Sequence, residues 1–217
     1  MHVPHRRRPI IAIAGSTIAL LMLTAIGVYG LFRGPSPAAR PAPAANNGSF
    51  SSTVPDRVDQ PQPVAVTSDP KLFARSVARA LFTWDTRHEG GPGPWAQVLV
   101  DAADVDEAAA VASDVRGFLP GVEMWQRLGT YGTRQWLELR SVAVPDAWST
   151  ALEQAAPGQL PRGATALKVV GTRHRAGTWD TELVRTDRSV SFTIFVACPG
   201  VDPCVLLRLS QLDRPLE

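Results

Sequence analysis

The chain is short of the residues that usually mark chemistry. In 217 residues there are two cysteines, four histidines and two tyrosines. Two cysteines exclude a framework of several disulfides and any all-cysteine zinc site. No GxSxG elbow, HExxH, GxxxxGK[ST] or GxGxxG occurs, which removes the common signatures of serine hydrolases, zinc proteases and nucleotide-binding enzymes. Charge of one sign is lacking too, with 22 basic against 20 acidic residues and a formal net charge of +2. Arg6, Arg7, Arg8 and Arg33 account for that excess, and the rest of the chain carries 18 basic groups against 20 acidic. A basic nucleic-acid-binding body is therefore not expected. The length fits one domain with appendages.

What the chain does have is one long apolar run. Ile10–Phe32 holds 23 residues without a charge, and about 20 such residues cross the hydrocarbon layer of a bilayer. A cleaved signal peptide has a shorter apolar stretch with a small-residue site close behind it; here the nearest such site, Ala42-Pro43-Ala44, lies beyond two arginines. The run is predicted to be a retained anchor. Residues 1–9, with Arg6-Arg7-Arg8, would stay cytoplasmic by the positive-inside rule and place the C-terminal body outside the cell membrane.

Residues 33–68 change to Pro, Ala, Ser, Asn and Gln, with seven prolines between Gly34 and Ser68. Proline removes backbone donors and fixes φ, so this stretch is expected to be a disordered linker of extended geometry. Asn47-Gly48-Ser49 matches a glycosylation sequon, a frequent chance match.

From 69 to 217 the pattern becomes that of a folded domain. Asp69 before Pro70 marks a helix start, and Leu72, Phe73, Val77, Ala80, Leu81 and Trp84 follow at helical spacing until the Gly90–Pro94 break. A second helix is predicted from Asp104, with Glu107 completing a capping box, to Pro120. A short amphipathic turn follows at Val122–Leu128, and Ala147–Ala156 reads as a short helix. Strands are predicted at Thr133–Val144, Ala164–His174, Ser189–Cys198 and Cys204–Leu212 by their period-two alternation. Helices followed by an antiparallel sheet of about four strands make an α+β domain, its long first helix packed across the sheet. Most of the six tryptophans are expected in the core or at its rim.

Cys198 and Cys204 flank the turn-rich loop CPGVDPC. A disulfide, a pair of metal ligands and two buried thiols are the three readings. The outside topology and the facing strand ends favour the disulfide, and metal binding lacks further ligands at a characteristic spacing. His88 and His174 each sit among charged residues at element ends without a signalled nucleophile, so no catalytic residue, metal site or cofactor is expected. Arg173, Arg175, Arg185 and Arg188 are interrupted by Asp180, Glu182 and Asp187, as on a mixed-charge hairpin surface.

The blocks DPKLFARSVARALFTWDTR, TRQWLELRSVAVPDAW, VVGTRHRAGTWD and FTIFVACPGVDPCVLLRLSQLDRPL resemble those of small membrane proteins found with actinobacterial integrative conjugative elements. The layout of anchor, linker and helices-then-sheet is similar to the bitopic inner-membrane scaffold of type IV secretion systems. The resemblance spans Asp69 to Leu216. It implies a cone-shaped extracytoplasmic domain of nuclear transport factor 2-like fold on a curved sheet, and a non-enzymatic channel component. Such a component would self-associate and contact other membrane proteins of a transfer apparatus without binding nucleic acid directly. The rival expectation is an extracytoplasmic ligand-binding or enzymatic cone domain, in which Trp84, Trp136, Glu138 and His174 line a pocket for a lipid or cell-wall fragment.

Overall fold

The computed structural model describes residues 60–217. The expected cytoplasmic tail, the Ile10–Phe32 span and most of the linker lie outside the described residues. The linker's last residues do not behave as a spacer. The Ala65 amide donates to Ser76 Oγ at 2.7 Å and Thr67 accepts from the Cys204 amide at 2.8 Å, which ties residues 65–67 to the body.

Helix α1 (Pro70–Phe82) starts as predicted: Asp69 Oδ1 accepts from the amides of Lys71 and Leu72 at 2.8 and 2.9 Å. Phe73, Val77, Leu81 and Phe82 face the core, whereas Leu72 points into solvent. The helix stops earlier than expected. Thr83 is extended, and Trp84–Asp85 form a short strand, β1. Asp85 Oδ1 accepts from the Arg87 amide at 2.9 Å, a local side-chain bond that competes with helical continuation.

Four short helices follow. Helix α2 (Gly93–Val100), which the sequence reading passes over, begins with Pro94 in its first turn, where a missing donor is harmless. Helix α3 (Ala108–Val115) begins four residues after Asp104. The expected capping box does not form: Asp104 instead accepts from the Asp106 amide at 3.0 Å, and Glu107 makes no side-chain cap. Helix α4 (Val122–Gly129) realises the amphipathic turn, and α5 (Ala147–Gln154) ends just before its predicted limit.

The sheet is curled and has five strands, not about four, in the antiparallel order β1-β2-β3-β4-β5. Strand β2 is Arg134–Ala143, bulged between Leu139 and Ser141 where it faces β3. Strands β3 (Ala164–Trp179) and β4 (Glu182–Ala197) run 16 residues each, joined through Asp180-Thr181. Both outrun their predicted limits at His174 and Ser189. Asp180 adopts φ +52°, a left-handed conformation that Asp tolerates. Strand β5 is Val205–Leu209, shorter than expected.

One sheet face, carrying Leu167, Val169, Phe192 and Ile194, packs against α1 and forms the main core. Trp84, Trp95 and Trp125 make a second, smaller cluster. Four of the six tryptophans are buried, counting Trp148 against Phe195. On the opposite face, the end near Lys168 and Thr193 is tied to the last residues: Lys168 pairs with Glu217, and the Leu216 amide donates to Thr193 Oγ1 at 2.8 Å.

Candidate functional site

Three of the four expected pocket residues meet on the sheet face opposite α1. The register sets Trp136 of β2 beside His174 of β3, and His174 beside Asp187 of β4. The Trp136 and His174 rings stack, 5.2 Å apart and 17° from parallel. His174 Nδ1 lies 2.7 Å from Asp187 Oδ1, and Nε2 lies 3.2 Å from Glu138 Oε2. Every other residue of a strand shares a face, which is why Glu138 joins Trp136 two positions on. Asp187, read in the sequence only as a break in a run of arginines, is the member that sequence reasoning missed.

The chemistry of this cluster is restricted. A histidine that serves as general base orients one nitrogen with a carboxylate and keeps the other for a nucleophile. Here both nitrogens face carboxylates, so the ring links three strands.

Trp84 goes to the other face. It is fully buried, 5.4 Å from the Trp125 ring, and the Arg175 guanidinium sits over it at 5.2 Å from the ring centre. Arg175 also donates to Gln135 Oε1 at 2.8 Å, and Gln135 Nε2 donates to the Phe82 carbonyl at 3.1 Å. Burial, and next the neighbouring Arg173, pull Arg175 below the usual guanidinium range. Arg173 is lowered by burial first and then by Arg188, with Asp213 opposing. The four arginines of the mixed-charge hairpin therefore divide by strand alternation: Arg173, Arg175 and Arg188 lie on the α1 side, and Arg185 lies with Asp187 on the other.

Beyond Ala176, which is buried, the β3–β4 hairpin becomes an exposed arm whose β3 strand is held at Tyr131. All residues from Thr181 to Ser189 are exposed. At its end Trp179 is 59% exposed and stacks on Tyr131, rings 5.1 Å apart and 12° from parallel. Beneath them lies an apolar cleft of about 220 Å³, bordered by Leu128, Tyr131, Gly177, Trp179 and Val184. A wider hollow of about 540 Å³ opens between Thr86, His88, Trp125 and the Gly90–Gly93 turn.

At the opposite end of β4, Cys198 and Cys204 are joined in a disulfide, with S–S 2.01 Å and Cα atoms 4.1 Å apart. Of the three readings of this pair, the staple is the one that holds. Gly163 packs against it with φ +72°, donating no side chain where a Cβ would lie 2.2 Å from the Cys198 carbonyl oxygen.

No family model, curated protein or solved structure matches this chain.

Proposed function

We propose that the protein is a non-enzymatic, membrane-anchored structural component of a conjugative DNA-transfer apparatus of type IV secretion type. The N-terminal run would hold it in the cell membrane, and the α+β domain, read as a cone of nuclear transport factor 2-like type, would act outside through protein–protein contacts. The observation that carries this reading is the exposed β3–β4 arm. Trp179, Leu183 and Val184 are about half exposed or more (59, 49 and 48%) at one hairpin end, apolar surface on both faces that the Tyr131 stack covers only in part. His174, with both nitrogens on carboxylates, supports a role without catalysis.

A clean deletion of the gene is expected to abolish transfer of the element and leave growth unchanged. Re-supplying the native chain should restore transfer, and the Trp179→Ala/Leu183→Ala double variant should not. Normal transfer in the deletion strain removes the proposal.

The rival reading, a binding domain for a lipid or cell-wall fragment, is favoured by one feature, the apolar cleft under Tyr131 and Trp179. Its test is saturable quenching of tryptophan fluorescence by such a fragment, abolished in Trp179→Phe.

A further inference from the structure

The outer edge of β4 is open along half its length. Ser191 and Thr193 turn their main-chain groups away from β3: the Ser191 carbonyl accepts from the Asp213 amide at 2.8 Å, and the Thr193 carbonyl accepts from the Ser210 amide at 2.9 Å. The β3–β4 register runs without a shift. Period two therefore makes Leu183, Arg185, Asp187 and Ser189 outward-facing as well. Among the described residues nothing pairs with these four, and β5 meets β4 only from Ile194 to Ala197. The free edge is bounded by the hairpin turn at one end and by Asp213 at the other.

We infer that this edge pairs, antiparallel, with the same edge of a second copy of the chain, about a two-fold axis at Thr186. Two arguments choose this partner and register. The first is the count of main-chain groups. Only a joint centred on Thr186 sets Leu183 against Ser189 and Arg185 against Asp187, and so uses all four outward residues of both copies. Each pair exchanges two hydrogen bonds, giving about eight across the joint.

The second argument is charge. In that register each copy's Arg185 lies opposite the other's Asp187, twice over by symmetry. A shift of the axis to Arg185 sets arginine on arginine, and a shift to Asp187 sets aspartate on aspartate. Exposed edges are commonly guarded by charges that repel another strand; this one carries a pair that fits its own image. The two curled sheets would then join into one. The inference needs only the sheet edge and does not rest on the role in DNA transfer.

The test uses the full chain in its membrane. At the axis Thr186 meets Thr186 at a non-hydrogen-bonded position, where Cα atoms are about 4.5 Å apart and within disulfide range. Thr186→Cys should form a covalent dimer on mild oxidation, seen on non-reducing gels. Val184→Cys, which faces Arg188 of the other copy, should not.

Arg185→Asp and Asp187→Arg should each weaken self-association by about tenfold in detergent titration, and an equimolar mixture of the two should restore it as a mixed dimer. A native chain that is monomeric throughout overturns the inference. So does a dimer in which Thr186→Cys fails to cross-link, or in which the mixture associates no better than either variant alone. Cross-linking with normal transfer in the deletion strain would leave this edge standing while the conjugation reading falls.

Discussion

Gly163 is held by chain that is distant in sequence. Its φ of +72° and a Cβ position 2.2 Å from the Cys198 carbonyl oxygen leave no room for alanine without moving the stapled strand end. Its own carbonyl accepts from the Cys198 amide at 3.0 Å, so backbone adjustment would loosen that bond as well. Gly163→Ala is expected to cost about 2 kcal/mol, read as a lowered urea midpoint with the slope unchanged. An unshifted midpoint would show that the strand end relaxes freely. The cysteine pair itself was legible, because two cysteines flanking one turn-rich loop stand at facing strand ends, within reach of each other. Gly163 was not, because its constraint comes from the end of the neighbouring strand, which is distant in sequence. Trp84 lies between these cases: its burial follows from side-chain type, but its face depends on Thr83 leaving the helix one residue earlier.

Whole elements were read well where apolar spacing was clean, as in α1, β2 and the disulfide end of β4. Reading failed where polar residues pair with each other across strands. The stretches beyond the predicted strand limits carry Arg175, Arg185, Asp187 and Arg188, and a charged stretch reads as loop when its partner strand is unknown. Once paired, His174 meets Asp187, and the alternation continues to the turn.

The link between α3 and β5 was similarly hidden. Asp114 accepts from Arg208 Nε at 2.8 Å, from its terminal nitrogen at 3.0 Å and from the Leu209 amide at 3.0 Å. Burial acts to raise the Asp114 carboxyl, but the Arg208 and Leu209 bonds outweigh it and hold the carboxyl below its ordinary range. Asp85 is lowered likewise: burial opposes, and Arg87 prevails.

A carboxylate depressed in the folded state stabilises the fold fully above its unfolded value, near pH 4. It loses that contribution as pH falls through the lower folded value. The melting temperature should therefore stay level from pH 7 to about 5 and drop below about pH 4. Asp114→Asn should melt lower at neutral pH and show a shallower acid limb. An acid limb as steep as the native one would place the loss elsewhere.

At the scale of the molecule, the α+β class and the order of helices before sheet were carried by composition and period. The length of the arm was not, since nothing local distinguishes a strand that is covered from one that projects. The Ile10–Phe32 run predicts that alkaline carbonate leaves the intact chain in the membrane pellet. A membrane-impermeant maleimide should label neither cysteine until a reductant is added. Release into the supernatant, or intact cells that stay unlabelled even after an impermeant reductant, would sink the anchored, outside topology; labelling without reductant would sink the disulfide.

The two ends of β4 are treated in opposite ways. Its root is clamped by the sulfur bridge, by β5 and by the main core, while its tip is paired with β3 alone and exposed. Such a strand is a cantilever: apart from the Trp179–Tyr131 stack on its partner strand, a load applied at Leu183 has little beside it to absorb it and is passed along the 16 residues of β4 to the stapled root. A push or pull on the tip by a bound neighbour would thus be felt at the far end of the sheet, beside residues 65–67, where the described chain enters the domain.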